Sequence, residues 1–246
     1  MSDLLVGLQL YTVRDQTAQD FTGTIRRVAE MGYKGVEFAG YGGLSSSELA
    51  ALLKETGLQA AGTHVGLTVI QDNLEQAIDY CLEIGCPNLI VPHLQQELLN
   101  GESFHELAQL FNKIGRRCQE RGLTFAFHNH NGEFAQANGK YLLDILLDNT
   151  DPAYLKLELD SYWAAFAGVD PIAYLGKRSG RVRLVHMKDM TEQRTFTEVG
   201  DGTLNIAGII KAAQEAGTQW FIVENDAPSI PSLESARRSL ENLRKF

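Results

Sequence analysis

The chain has 246 residues, 44% hydrophobic and 22% charged, with 22 Lys and Arg against 31 Asp and Glu. The net charge of −9 argues against a nucleic-acid partner, which needs clustered Lys and Arg to neutralise phosphates. The length suits one large domain over residues 1–246, since α/β barrels run to roughly 250 residues as single units.

In chain order, short apolar runs predict strands over residues 5–10, 34–38, 59–64, 88–92, 124–129, 154–160, 183–188 and 220–224. Helical patterns alternate with them over residues 20–31, 46–56, 73–84, 104–121, 140–147, 171–177, 206–216 and 233–245. The period is clear in LEQAIDYCLEIG, where Leu74, Ala77, Ile78, Cys81 and Leu82 recur at helical spacing. Helix stops repeat as EMG, ETG, EIG, ERG and EAG, each just before a strand. Glycine past a helix end takes the left-handed conformation that closes it. Strand then helix, eight times, is the pattern of a (β/α)8 barrel. An open doubly wound sheet would carry a Gly-rich loop after its first strand, and YTVRDQ is not one.

Cys81, Cys86 and Cys118 lack CxxC spacing and lie in or beside helices, so buried reduced thiols are expected. No run approaches the ~18 apolar residues of a membrane span, and the opening MSDLLVGLQLYTVRD is too weakly apolar for a secretory leader. A cytoplasmic protein with no membrane partner is expected. Homo-oligomerisation is left open.

Five of the six histidines stand where an apolar strand gives out, and acidic residues take the same kind of position. Buried polar groups are costly unless something pairs them. In a closed barrel the carboxyl ends of the strands converge on one mouth, where active sites are built. Side-chain alternation agrees: Glu158 and Asp160 oppose Leu155, Leu157 and Leu159, while His186 pairs in phase with Lys188 and His128 with His130. This pattern points to a metal-assisted enzyme site.

The run FHNHNGEF, followed by LELDSYWAAFAGVDP, RVRLVHMKDM, EVGDGTLN and WFIVEND, resembles the xylose isomerase-like TIM barrels, described broadly as sugar phosphate isomerases/epimerases. The likeness extends over nearly the whole chain. It implies one divalent cation, commonly Mn2+, with Mg2+, Co2+ or Zn2+ also suited to carboxylate and imidazole ligands. Asp160, His186 and Glu224 match the family's ligand positions. The usual fourth ligand is a glutamate just before the Asn-His of strand five, where this chain has His128. Glu133, three residues past His130, is the expected replacement, with His128 or His130 as the alternative.

The resemblance implies an isomerase or epimerase that removes a proton next to a carbonyl through a metal-stabilised enediolate. The rival is elimination, giving a dehydratase or keto-glycoside lyase. A sugar- or metal-binding barrel without turnover is the reading from another class. Glu224 is the expected base, with Glu133, His128 or His130 as its acid/base partner. Lys188 either stabilises an oxyanion or forms a salt bridge to Glu158 or Asp160. His64, His93 and Glu37 are candidates for sugar hydroxyls, and Gln9, Tyr11 and Arg14 are weaker ones. Trp163 and Phe166 are candidates for an apolar wall, whereas His105 reads as a helix-surface residue. The Gly-punctuated loop 198–203 suggests a lid. Its acidic surroundings favour a neutral sugar or keto-sugar over a sugar phosphate.

Overall fold

Eight parallel strands close into a barrel in the order of the chain. They are β1 (Val6–Gln9), β2 (Gly35–Phe38), β3 (Gln59–His64), β4 (Asn88–Val91), β5 (Thr124–His128), β6 (Lys156–Asp160), β7 (Val182–Met187) and β8 (Trp220–Val223). The strand that closes the ring is β8, which pairs with both β1 and β7. The computed structural model describes residues 4–246; residues 1–3, part of the stretch read for a leader, lie outside the described residues.

Each strand is followed by a helix: α1 (Phe21–Met31), α2 (Ser46–Thr56), α3 (Leu67–Glu83), α4 (Gly101–Glu120), α5 (Leu142–Asp148), α6 (Pro171–Lys177), α7 (Ile206–Glu215) and α8 (Ser232–Leu243). Local chemistry sets their ends. Asp20 accepts the Gly23 N–H at the start of α1, and Ser45 with Glu48 forms a capping box on α2. The five glycines of the repeated stop signal, Gly32, Gly57, Gly85, Gly122 and Gly217, all have positive φ between 68° and 93°. Among the described residues no helix is long and apolar enough to cross a membrane.

Three helices start two or more residues away from expectation. α3 begins at Leu67 and passes through a non-helical Asn73, so its first turn precedes the periodic stretch. α4 begins at Gly101, where Asn100 caps it by accepting the Ser103 N–H. The helix expected from residue 140 starts at Leu142, because Lys140 and Tyr141 pair with Gln136 and Ala137 as a hairpin. Asn138 and Gly139 turn that hairpin, both with positive φ. An Asn-Gly pair is the residue choice for such a turn.

Strand alternation divides the core in two. Phe125, Phe127, Leu157, Leu159, Val185 and Met187 join the large cluster against the helices. Each fully buried side chain of this size contributes about 1.5–3 kcal/mol. Ala61, Ile90, Ala126, Leu184, Trp220 and Ile222 form a separate cluster, which fills the barrel interior. Gly35 admits the indole there, since a Cβ at that position would lie 2.7 Å from Trp220. All three cysteines are buried and free, as their placement in helical patterns suggested.

Candidate active site and cation centre

Past the apolar cluster, the same inward positions turn polar. Gln9, Glu37, His128, Glu158, Asp160, His186, Lys188 and Glu224 are all buried, none more than 6% exposed. Two register shifts help to aim them. The β2–β3 pairing slips at Val36/Glu37, and the β6–β7 pairing slips at Leu157/Glu158. Such irregularities re-aim side chains beside active sites, and each here immediately precedes a buried glutamate.

The groups form one connected cluster. His186 Nδ1 lies 2.8 Å from Glu224 Oε2, and its Nε2 lies 2.7 Å from Glu37 Oε2. His64 Nε2 is 2.7 Å from Glu158 Oε2 and 3.1 Å from Glu37 Oε2. Lys188 Nζ sits 2.6 Å from Glu224, 2.9 Å from Asp160 and 3.0 Å from Asp226. Lys188 thus forms the ion pair with Asp160 that the shared strand phase allowed. Ser161 Oγ donates to the backbone carbonyls of His186 and Lys188, tying β6 to β7 at the site.

Burial and neighbouring charge set the protonation pattern. Burial opposes charge on His186, yet Glu158, Glu37 and Glu224 outweigh it and hold the imidazole well above its ordinary pKa. Burial likewise works against His64, and Glu37 and Glu158 raise it to about 9. His128 and His130 are shifted the other way. Burial pushes both down, helped for His128 chiefly by His186 and for His130 chiefly by Lys188, with His130 at about 3. For Glu224, burial would raise the pKa, but Lys188 and His186 bring it below the ordinary value. Burial first and the Glu224 charge second lift Asp226 to about 6.

Two groups of four donors lie close enough to hold a metal ion, with ligand atoms within 4.8 Å of one another. One is His128, Asp160, His186 and Glu224; the other is His64, His128, Glu158 and His186. Some buried atoms here are unsatisfied among the described residues: Glu158 Oε1 has no partner, and His128 Nδ1 makes no hydrogen bond, its contact being Glu158 Oε2 at 3.2 Å. Orphaned donors of this kind fit a cation, and two carboxylates with two imidazoles suit a hard or borderline divalent ion. Glu133, the expected fourth ligand, is in neither group. It is buried, and its Oε2 accepts the His130 backbone N–H at 2.8 Å. Strand five therefore presents His128, the alternative named on sequence grounds.

A cavity of about 560 Å³ opens over the cluster, lined by Tyr11, His64, His93, His128, His130, Trp163, Lys188, Phe196, Glu224 and Asp226 among others. His93 contributes from an exposed position. Trp163 supplies the aromatic wall with Phe196, their rings 5.6 Å apart, and its Nε1 has no hydrogen-bond partner among the described residues. Phe166 lies outside the lining, stacked on Tyr162 and covered by the Arg194 guanidinium. Glu37 and Gln9, considered for sugar hydroxyls, are buried and outside the lining. Arg14 is turned away, donating to the Asp226 carbonyl and covering the Tyr11 ring. His105 is exposed on α4, as expected.

The loop considered as a lid is a correction. None of residues 198–203 lines the cavity. Buried Asp189 gathers it instead, accepting the N–H groups of Gly200, Gly202 and Leu204. Glu198 accepts from Ser235 Oγ at 2.8 Å. Sequence reasoning missed Asp226 and Phe196. Asp226 follows Glu224 by two, the phase that paired His186 with Lys188. Phe196 sits on a short ribbon, Phe196–Thr197 against Asp189–Met190, for which the sequence offered no strand-length signal.

A family model described as xylose isomerase-like TIM barrel matches residues 25–246, and the chain belongs to that family. An inosose dehydratase of Clostridium beijerinckii is 28% identical over 144 residues, covering 51% of this chain and 48% of the relative. Another, of Bacillus anthracis, is 28% identical over 164 residues, covering 59% and 54%. The chain spans about half the length of the curated relatives it matches. Among solved structures, a sugar phosphate isomerase/epimerase from Parabacteroides distasonis superposes with a TM-score of 0.84 at 24% identity, covering 98% of this chain and 93% of the other. A D-allulose 3-epimerase from Methylomonas sp. gives 0.77 at 15% identity, covering 98% and 97%. At these identities the two structures speak for the fold.

Proposed function

We propose that the protein is a divalent-cation-dependent dehydratase acting on a neutral keto-polyol, with His128, Asp160, His186 and Glu224 holding the ion. The carrying observation is that these four residues offer ligand atoms within 4.8 Å of one another, with the buried His128 Nδ1 making no hydrogen bond, beside a sugar-sized cavity. When bound, Mn2+ or a similar ion would polarise the substrate carbonyl and acidify the adjacent C–H.

The chain's own groups then divide the proton work. Glu224, expected as the base, has its Oε2 engaged by Lys188 Nζ at 2.6 Å and His186 Nδ1 at 2.8 Å, so that oxygen is not free to meet a substrate proton. His130 is better placed: its ring lines the cavity, and no described residue hydrogen-bonds to its ring nitrogens. It takes the proton from the carbon beside the carbonyl. Lys188 places its ammonium against the oxygen on which negative charge develops. Asp226, with its pKa near 6, returns a proton to the departing hydroxyl. One C–H and one C–O bond break, a C=C bond forms, and water leaves.

Elimination is preferred over isomerisation because the related curated proteins are inosose dehydratases and strand five offers His128 in place of a second metal-bound glutamate. A neutral substrate follows from the lining. Its one Lys or Arg side chain, Lys188, is already matched by three carboxylates, so little positive charge remains for a phosphate.

The test is an incubation of Mn2+-loaded protein in D2O with a panel of keto-polyols, an inosose included, followed by NMR and ultraviolet absorbance. Loss of water with growth of an unsaturated ketone is expected. Deuterium uptake with an altered stereocentre and no loss of water would make the protein an epimerase or isomerase. Metal binding with no turnover on any member would leave a binding barrel.

A further inference from the structure

Behind the cation centre runs a chain of hydrogen bonds whose direction is set at one end. The Tyr11 backbone N–H can only donate, and it reaches Gln9 Oε1 at 3.0 Å. The Gln9 amide is thereby oriented, and its Nε2 donates to Glu37 Oε2 at 2.7 Å. The same carboxylate oxygen lies 2.7 Å from His186 Nε2. Gln9, Glu37 and His186 are each 0% exposed, so water does not substitute for any link. A carboxylate oxygen accepts, which leaves His186 Nε2 as the donor. The other ring nitrogen, Nδ1, faces Glu224 Oε2 at 2.8 Å.

From this geometry we infer that Glu37 is a positioning residue: oriented by Gln9 and Tyr11, it fixes the His186 ring and tautomer so that Nδ1 is the nitrogen offered to the cation. The inference rests on the ligand set proposed above. Its physical basis is general. A carboxylate behind a metal-binding imidazole selects the tautomer, orients the ring and strengthens the ligand, and its loss costs roughly 10–100-fold in metal affinity. The fold makes room for the device at Gly62, where a Cβ would lie 2.6 Å from Glu37 Oε1. Glu37 therefore acts through His186 and does not touch the substrate.

Two measurements test it without relying on turnover. In wild-type protein labelled with 15N-histidine and loaded with 113Cd2+, the metal coupling should appear on His186 Nδ1, with a protected proton on Nε2. The signals are assigned by comparison with His186→Asn. In parallel, Mn2+ affinity is measured by calorimetry. Glu37→Leu should bind roughly 10–100-fold more weakly, while Glu37→Gln, which keeps an acceptor oxygen, should stay within severalfold of wild type. Coupling to Nε2 overturns the assignment, as does wild-type Mn2+ affinity in a folded Glu37→Leu protein. Wild-type protein that takes up neither ion overturns the cation centre itself and this inference with it. Should Glu37→Leu fail to fold, the wild-type spectrum alone decides.

Discussion

Lys188 is the residue on which the site's electrostatics turn. Its ammonium is buried and within 3.0 Å of Asp160, Glu224 and Asp226. Asp160 and Glu224 belong to the proposed ligand set, so the ammonium and a cation compete for the same oxygens. Lys188→Met should therefore move two quantities in opposite directions. Mn2+ affinity by calorimetry should rise by about tenfold as the competing charge disappears. Turnover should fall by about 10²-fold as stabilisation of the developing oxyanion is lost. If both fall together, Lys188 holds the cluster in shape and has no separate chemical role. The ligand-like residues Asp160, His186 and Glu224 were legible in the sequence because each closes an apolar strand. Glu133 stands outside both donor groups, where its loop curls back to accept the His130 N–H, a placement that strand and helix periodicity does not specify.

At the scale of elements, paired strands decide where the buried carboxylates point. The slip between β2 and β3 sets Glu37 opposite Gly62. An added Cβ at Gly62 would lie 2.6 Å from Glu37 Oε1 and 2.7 Å from Ile90 Cδ1. Gly62→Ala should lower stability by about 1–3 kcal/mol through overpacking, and should weaken Mn2+ binding by displacing Glu37. Urea unfolding and calorimetry read the two effects, and unchanged metal affinity would show that β3 leaves Glu37 free to readjust. The helices were legible from their stop signals, which all occur as left-handed glycines. The α3 start at Leu67 was not, since helical structure crosses Asn73 before the periodic stretch begins. The loop at residues 198–203 was misread because glycine content describes local freedom, whereas Asp189 supplies long-range tethers.

Across the whole molecule, helix-to-helix ion pairing stabilises the barrel away from the mouth. Asp144 on α5 is 5% exposed and accepts from Tyr174 and Lys177 at 2.9 and 2.6 Å, and from Arg178. Burial alone would raise its pKa; the bonds from Lys177, Arg178 and Tyr174 leave it lowered. A depressed folded-state value means stability that is present above the unfolded aspartate value near ~3.9 and is lost as pH falls through the folded one. Asp144→Asn should therefore cost about 2 kcal/mol at neutral pH. The difference from wild type should shrink as the pH drops below ~4. A thermal-melt series across that range checks both, and a gap that persists at low pH would assign the effect to packing.

The amino-acid order by itself determined the repeating strand and helix units, the closed barrel they imply, and the mouth where the histidines and carboxylates gather. These follow from local periodicity and from strand-end chemistry, which neighbouring residues carry. Only the tertiary structure decided which donors converge, that His128 joins Asp160, His186 and Glu224, and that Glu37 lies behind His186. Such groupings join side chains as far apart as Glu37 and His186, 149 positions along the chain. Their convergence depends on barrel closure and strand register, which no local pattern specifies.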